Sequence, residues 1–112
     1  RRVPAEQLIS MLPAQGDSKY RFGIDGINNA GEAIAFTGSS ILPVWNEYWR
    51  ELMINDASLR ALLSNGDLPY ILMSQSRFGL GLLNDLTTIT DDYCTRDTGF
   101  MKIRGWIVLK CN

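Results

Sequence analysis

Both cysteines of this chain, Cys94 and Cys111, stand near its C-terminal end, and no histidine occurs among its 112 residues. A closed zinc site asks for four Cys or His donors, and the two thiols are not spaced as a CxxC redox pair. Two readings remain, a structural disulfide or two unrelated buried thiols, and the disulfide is favoured. It would constrain the unfolded chain by roughly 3 kcal/mol for a loop of this length and place the domain in an oxidising compartment. It also restricts the fold. If Leu86 to Cys94 and Phe100 to Cys111 formed one straight hairpin around Thr95 to Gly99, Cys94 would sit near the turn. Cys111 would then lie about 30 Å away at ~3.3 Å per residue, far beyond the ~7 Å that bridged Cα atoms allow. The bond therefore requires the segment before Phe100 to double back as a loop beside the last strand, or that strand to bend at Gly105.

The missing histidine also removes the common way of activating a nucleophile and the side chain that titrates most readily near neutral pH. A serine nucleophile would then need a lysine base, and no SxxK pattern occurs. Carboxylates are the remaining acid/base groups, but a glycosidase needs two of them facing one cleft, and nothing in the spacing sets such a pair. Asp91, Asp92 and Asp97 form the densest acidic stretch and lack the DxDxDG spacing of a calcium loop. The glycines of Phe22 to Gly26 and Phe78 to Gly81 match neither GxxxxGK[ST] nor GxGxxG. No catalytic residue, metal or cofactor is expected.

Eleven Lys and Arg against twelve Asp and Glu leave a net charge of -1, so no basic excess exists to grip nucleic acid. With 46% apolar and 21% charged residues, the composition is that of one globular domain over 1-112. Residues 1-18 read as an N-terminal helix and linker, and 19-112 as the core. No apolar run reaches the ~18 residues of a membrane span. The opening Arg1-Arg2-Val3-Pro4 without a methionine reads as an excised or processed portion.

Along the chain, Pro4, Glu6, Leu8, Met11 and Leu12 predict a short helix stopped by Pro13. From Lys19 the period becomes two, with Tyr20, Phe22 and Ile24 on one face and Lys19, Arg21 and Asp25 on the other. Asn28 to Gly31 supplies turn residues and Glu32 to Thr37 a second strand, so 19-38 reads as a β-hairpin. Val44, Trp45, Tyr48, Trp49, Leu52 and Met53 recur at helical spacing and predict the main amphipathic helix. Asn55 or Asp56 caps a further helical turn carrying Leu59, Leu62 and Leu63, which stops at Asn65-Gly66. Tyr70 to Ser74 and Phe78 to Leu83 read as strands, and Leu86 to Thr90 as a strand or an extended edge. Phe22 to Asn29 and Phe78 to Asp85 look alike across an offset of 56 residues, the kind of likeness that a duplicated strand unit would leave.

The last strand places Met101, Ile103, Ile107, Leu109 and Cys111 inward and Lys102, Arg104, Trp106 and Lys110 outward. A tryptophan among cations on a candidate edge strand is the expected surface for a protein partner. The fold expected is α+β, an antiparallel sheet that can be curled or barrel-like, packed on one main amphipathic helix and closed by a C-terminal disulfide.

The layout of a basic Arg1-Arg2 start, a hairpin, a central helix, further strands and the Cys94 to Cys111 pair resembles a known group. It is similar to the periplasmic portion of the small single-pass proteins that accompany ToxR-like membrane transcription regulators, including those governing Yersinia pH 6 antigen and Myf fimbriae. The resemblance implies a non-catalytic sensor or interaction domain, tethered to the inner membrane by a segment outside this chain, that stabilises a membrane-bound regulator. A response to acidity would run through raised carboxylate pKa values, since histidine is missing. A pilin or pseudopilin globular domain is the alternative, and a carboxylate-dependent hydrolase a third.

Overall fold

Three short apolar runs, Phe22–Asp25 (β1), Ile41–Asn46 (β2) and Tyr70–Ser74 (β4), pair in parallel at the centre of a six-stranded mixed sheet. The computed structural model describes residues 2-111, so Arg1 of the basic start lies outside it. Glu51–Leu52 (β3) pairs antiparallel on the outer side of β2. Trp106–Cys111 (β6) pairs antiparallel with β4, and Cys94–Arg96 (β5) antiparallel with β6. The order across the sheet is β3-β2-β1-β4-β6-β5.

Both faces of the sheet are covered. On one face Ala5–Ser10 (α1) and Ile27–Thr37 (α2) bury Leu8, Ile9, Ala30 and Ala33 against Phe22, Ile24, Leu72, Trp106 and Val108. On the other, Asp56–Ser64 (α3) and Asn84–Thr90 (α5) bury Leu59, Leu63, Leu86 and Ile89 against Val44, Trp45, Ile71, Met73 and Ile107. Strands enclosed on both sides carry apolar residues at every position, which erases the alternation that marks a half-buried strand.

The fold is thus α+β with a C-terminal disulfide, but the sheet is mixed and open rather than antiparallel or barrel-like, and no single helix dominates it. Glu32 to Thr37 is helical, the second half of α2, so 19-38 is no hairpin. With a helix between them β1 and β2 can run parallel. The expected main helix over 44-53 is the β2-β3 hairpin. Phe78 to Leu83 belongs to a short helix, Gln75–Gly79 (α4), and the turn after it, and Leu86 to Thr90 lies in α5. The two similar eight-residue runs have different structures, strand into helix in one and helix, turn and helix in the other.

Three expected helix and strand signals hold as read: α1 ending before Pro13, α3 capped by the Asn55 side chain, which accepts from Ser58 N at 2.8 Å, and β4. Cys94 and Cys111 form the disulfide. Bond and hairpin coexist, because Cys94 opens β5 rather than closing a strand and so stands directly opposite Cys111, with Cα atoms 4.1 Å apart. The last strand begins at Trp106 instead of Met101, and it is not an edge, since β5 covers it.

Candidate functional site

The connection after β1 crosses one face of the sheet and the connections after β2 and β4 use the other. Adjacent parallel strands whose chains leave in opposite directions open a crevice at their carboxyl ends, the usual ligand position in open α/β sheets. Here that place lies between β1, ending in Asp25, and β4, ending in Ser74.

Asp25, expected on the solvent side of its strand, is 0% exposed. Its Oδ2 accepts from Ser74 N at 2.8 Å, and Arg77 Nη1 stands 3.4 Å away. Asn29, one turn into α2, folds back so that Nδ2 donates to Asp25 O at 2.8 Å and approaches Oδ1 at 3.5 Å. Burial pushes the Asp25 carboxyl above its ordinary range, against the opposing pull of the Ser74 N–H and the Arg77 guanidinium.

Glu47, just past β2, reaches across to the start of α2. Its Oε1 accepts from Ile27 N at 2.7 Å and its Oε2 from Asn28 N at 3.3 Å, so one carboxylate serves two of the orphan donors of that helix. Burial raises its pKa, but the backbone N–H groups and Arg77 together outweigh burial and hold it below the ordinary value. Arg77 Nη2 lies 3.9 Å from Glu47 Oε2, and the guanidinium covers the Trp45 ring at 5.5 Å. Gly26 makes this closeness feasible: at φ 98° it turns the chain from β1 into α2, and a Cβ there would come within 2.7 Å of Glu47 Oε2.

Beside this polar knot the β2-β3 turn projects two aromatic side chains. Asn46 Oδ1 accepts from Tyr48 N at 2.8 Å and Trp49 N at 3.0 Å, and Arg50 takes φ 54° to complete the turn. Asn28 Nδ2 donates to the Tyr48 hydroxyl at 2.7 Å. The turn is therefore held from two elements, while Tyr48 is 64% and Trp49 76% exposed. Trp49 and Met53 border a hollow of about 210 Å³ along the β3 edge.

The residues expected on the outer face of the last strand separate. Trp106 is 1% exposed, turned into the α1-α2 face, and its Nε1 donates to Val3 O at 2.7 Å. It cannot serve as a surface anchor, because the N-terminal segment covers it. Lys102 and Arg104 lie in the exposed loop before β6. Lys110 lies six residues beyond Arg104, about 20 Å along an extended chain, and is exposed at the opposite end of β6. Arg104 joins Arg2, Gln75 and Ser76 instead. Among the described residues no group of three or more Cys, Asp or Glu side chains is placed to hold a metal ion. Asp92 pairs with Arg60 at 2.6 Å, and Asp97 caps the turn at Thr98–Phe100.

No family model, curated protein or solved structure matches this chain. Asp25, Glu47, Arg77 and the Tyr48-Trp49 tip are the residues that sequence reasoning missed. The available signal was an apolar run, Phe22 to Ile24, passing through Asp25-Gly26 toward the helix-forming Glu32-Ala33-Ile34-Ala35.

Proposed function

We propose that this chain is a non-catalytic recognition domain of an oxidising, extracytoplasmic compartment, which docks on a protein partner through the tip of the β2-β3 hairpin. One observation carries the reading: Tyr48 and Trp49 are exposed on a turn whose backbone is fixed by Asn46 and whose side is braced by Asn28. Large aromatic side chains presented by a pre-ordered backbone lose little entropy on binding, and Trp, Tyr and Arg dominate the energetics of protein interfaces. The carboxylates that come together, Asp25 and Glu47, are occupied with backbone N–H groups and Arg77, which supports a structural role for them rather than turnover. The disulfide supports the compartment.

Of the layout shared with accessory proteins of membrane-bound regulators, the cysteine pair remains and the hairpin and central helix do not. A membrane-tethered regulator is nevertheless the partner class to test. The domain is expected to copurify with such a partner from detergent-solubilised membranes. Trp49→Ala should weaken the association by about 2 kcal/mol and leave stability within about 0.5 kcal/mol of the parent. Association that survives replacement of both Tyr48 and Trp49 by alanine refutes the tip as the docking site.

A further inference from the structure

On the β6 side of the carboxyl-end crevice, Arg2, Gln75, Ser76, Arg104 and Gly105 enclose an open cavity of about 400 Å³. Two of these five residues carry a guanidinium and none carries a carboxylate. Arg2 is oriented from two sides: its guanidinium lies over the Trp106 ring at 4.3 Å, and Nη2 donates to Asn29 Oδ1 at 3.0 Å. The two arginine backbones are tied together by Val3 N donating to Arg104 O at 2.8 Å.

The opposite wall is pinned as well. Gln75 N donates to Gly105 O at 3.0 Å, and Gly105 N returns a bond to Gln75 Oε1 at 3.2 Å, which leaves the Gln75 amide N–H groups as donors. Ser76 Oγ lies 3.0 Å from Ser74 Oγ, so a proton donated by Ser74 leaves the Ser76 hydroxyl proton free. Gly105, at φ 87°, is the residue that lets the walls meet, because a Cβ there would run into the side chain of Arg2 and come within 2.8 Å of its Cα. The Asp25 carboxyl, which feels the charge of Arg2, is buried and engaged by Ser74 N and Arg77.

We propose that this cavity binds the phosphoryl group of a phosphate monoester. Two guanidinium groups match the double charge of such a group, their planar forks offer paired N–H donors to its oxygens, and the Ser76 hydroxyl and Gln75 amide complete a set of donors. The site is independent of the Tyr48-Trp49 tip and stands or falls without it.

The ester can belong to a soluble small molecule or to a lipid headgroup, and two arms of one experiment separate these. In the first, the ¹⁵N-labelled chain is titrated with glycerol 3-phosphate, with glycerol and acetate as controls. Saturable shifts of the Ser76 and Gly105 amides are expected with glycerol 3-phosphate alone. Arg104→Gln should weaken that binding roughly ten-fold or more without changing the melting temperature, since the Arg104 side chain is exposed. Arg104 is the variant of choice because Arg2 also packs on Trp106.

In the second arm the chain is sedimented with phosphatidylcholine vesicles that contain or lack phosphatidic acid. Pelleting that requires phosphatidic acid and is lost in Arg104→Gln assigns the phosphoryl group to a lipid; soluble-ester binding without pelleting assigns it to a free metabolite. Absence of both kinds of binding, equal shifts with acetate, or binding unchanged by Arg104→Gln overturns the proposal.

Discussion

Asp25 shows how one residue's role can depend wholly on its surroundings. Its period-two position beside Lys19 and Arg21 is that of a solvent-facing carboxylate, yet the covering of both sheet faces leaves no solvent side at the centre of the sheet. Burial then dominates its ionisation and raises its pKa. A carboxyl whose folded pKa lies above its unfolded value contributes stability that is complete below the unfolded pKa and is lost as pH rises through the folded one. Asp25→Asn keeps an acceptor for Ser74 N and removes the buried charge. Its stability, measured by urea unfolding, should therefore fall less than that of the parent between about pH 4 and neutrality. Parallel profiles for the two proteins would show that Asp25 titrates as an ordinary carboxylate. Asp25→Ala, which leaves the Ser74 N–H and Arg77 without their partner, should cost about 1–3 kcal/mol. Trp106 makes the same point without charge: by strand alternation it shares a face with Lys102, Arg104 and Lys110, and the packing of α1 and α2 together with Val3 and Arg2 over its ring places it inside.

At the scale of elements, the signals that worked are those settled within a few residues. Asn55 caps α3 with its own side chain, and Asn55→Ala should cost about 1 kcal/mol, read from chemical denaturation. The start of α2 has no such local sign, because its cap is Glu47 from another element. Glu47→Ala should destabilise by about 1–2 kcal/mol at neutral pH. The sign of its pH dependence is opposite to that of Asp25: a lowered carboxylate pKa contributes stability above the unfolded pKa, which is lost as pH falls through the folded one. The gap between Glu47→Ala and the parent should therefore narrow in acid, and a gap that stays constant would remove the ionised cap from the explanation. The segment from Val44 to Met53 misled for a geometric reason. Apolar pairs four residues apart satisfy a helix, but here they are Val44-Trp45 on β2, Tyr48-Trp49 on the turn and Leu52-Met53 at and after β3. What decides for the hairpin is Asn46 closing the turn and Val44 and Trp45 packing between the sheet and α3.

For the molecule as a whole, the disulfide ties the edge strand β5 to the end of β6 and thereby secures the side of the sheet farthest from the parallel centre. Reduction should destabilise the chain by about 3 kcal/mol and lower its melting temperature by roughly 10 °C; an unchanged melt under reductant would mean that the edge is held by pairing alone. The residues themselves determined the capped helix at Asn55, the short helix before Pro13 and the apolar strands at Tyr70–Ser74 and near the C-terminus, since each rests on chemistry among near neighbours; they favoured the disulfide, and the register of β5 on β6 sets Cys94 opposite Cys111. The tertiary structure alone decided that β1, β2 and β4 run parallel, that Asp25 and Trp106 are buried, and that Arg2 and Arg104 share one crevice. Those outcomes depend on which helix covers which face of the sheet. A strand enclosed on both faces carries no periodic mark of its surroundings, so that arrangement emerges only when all the layers are packed together.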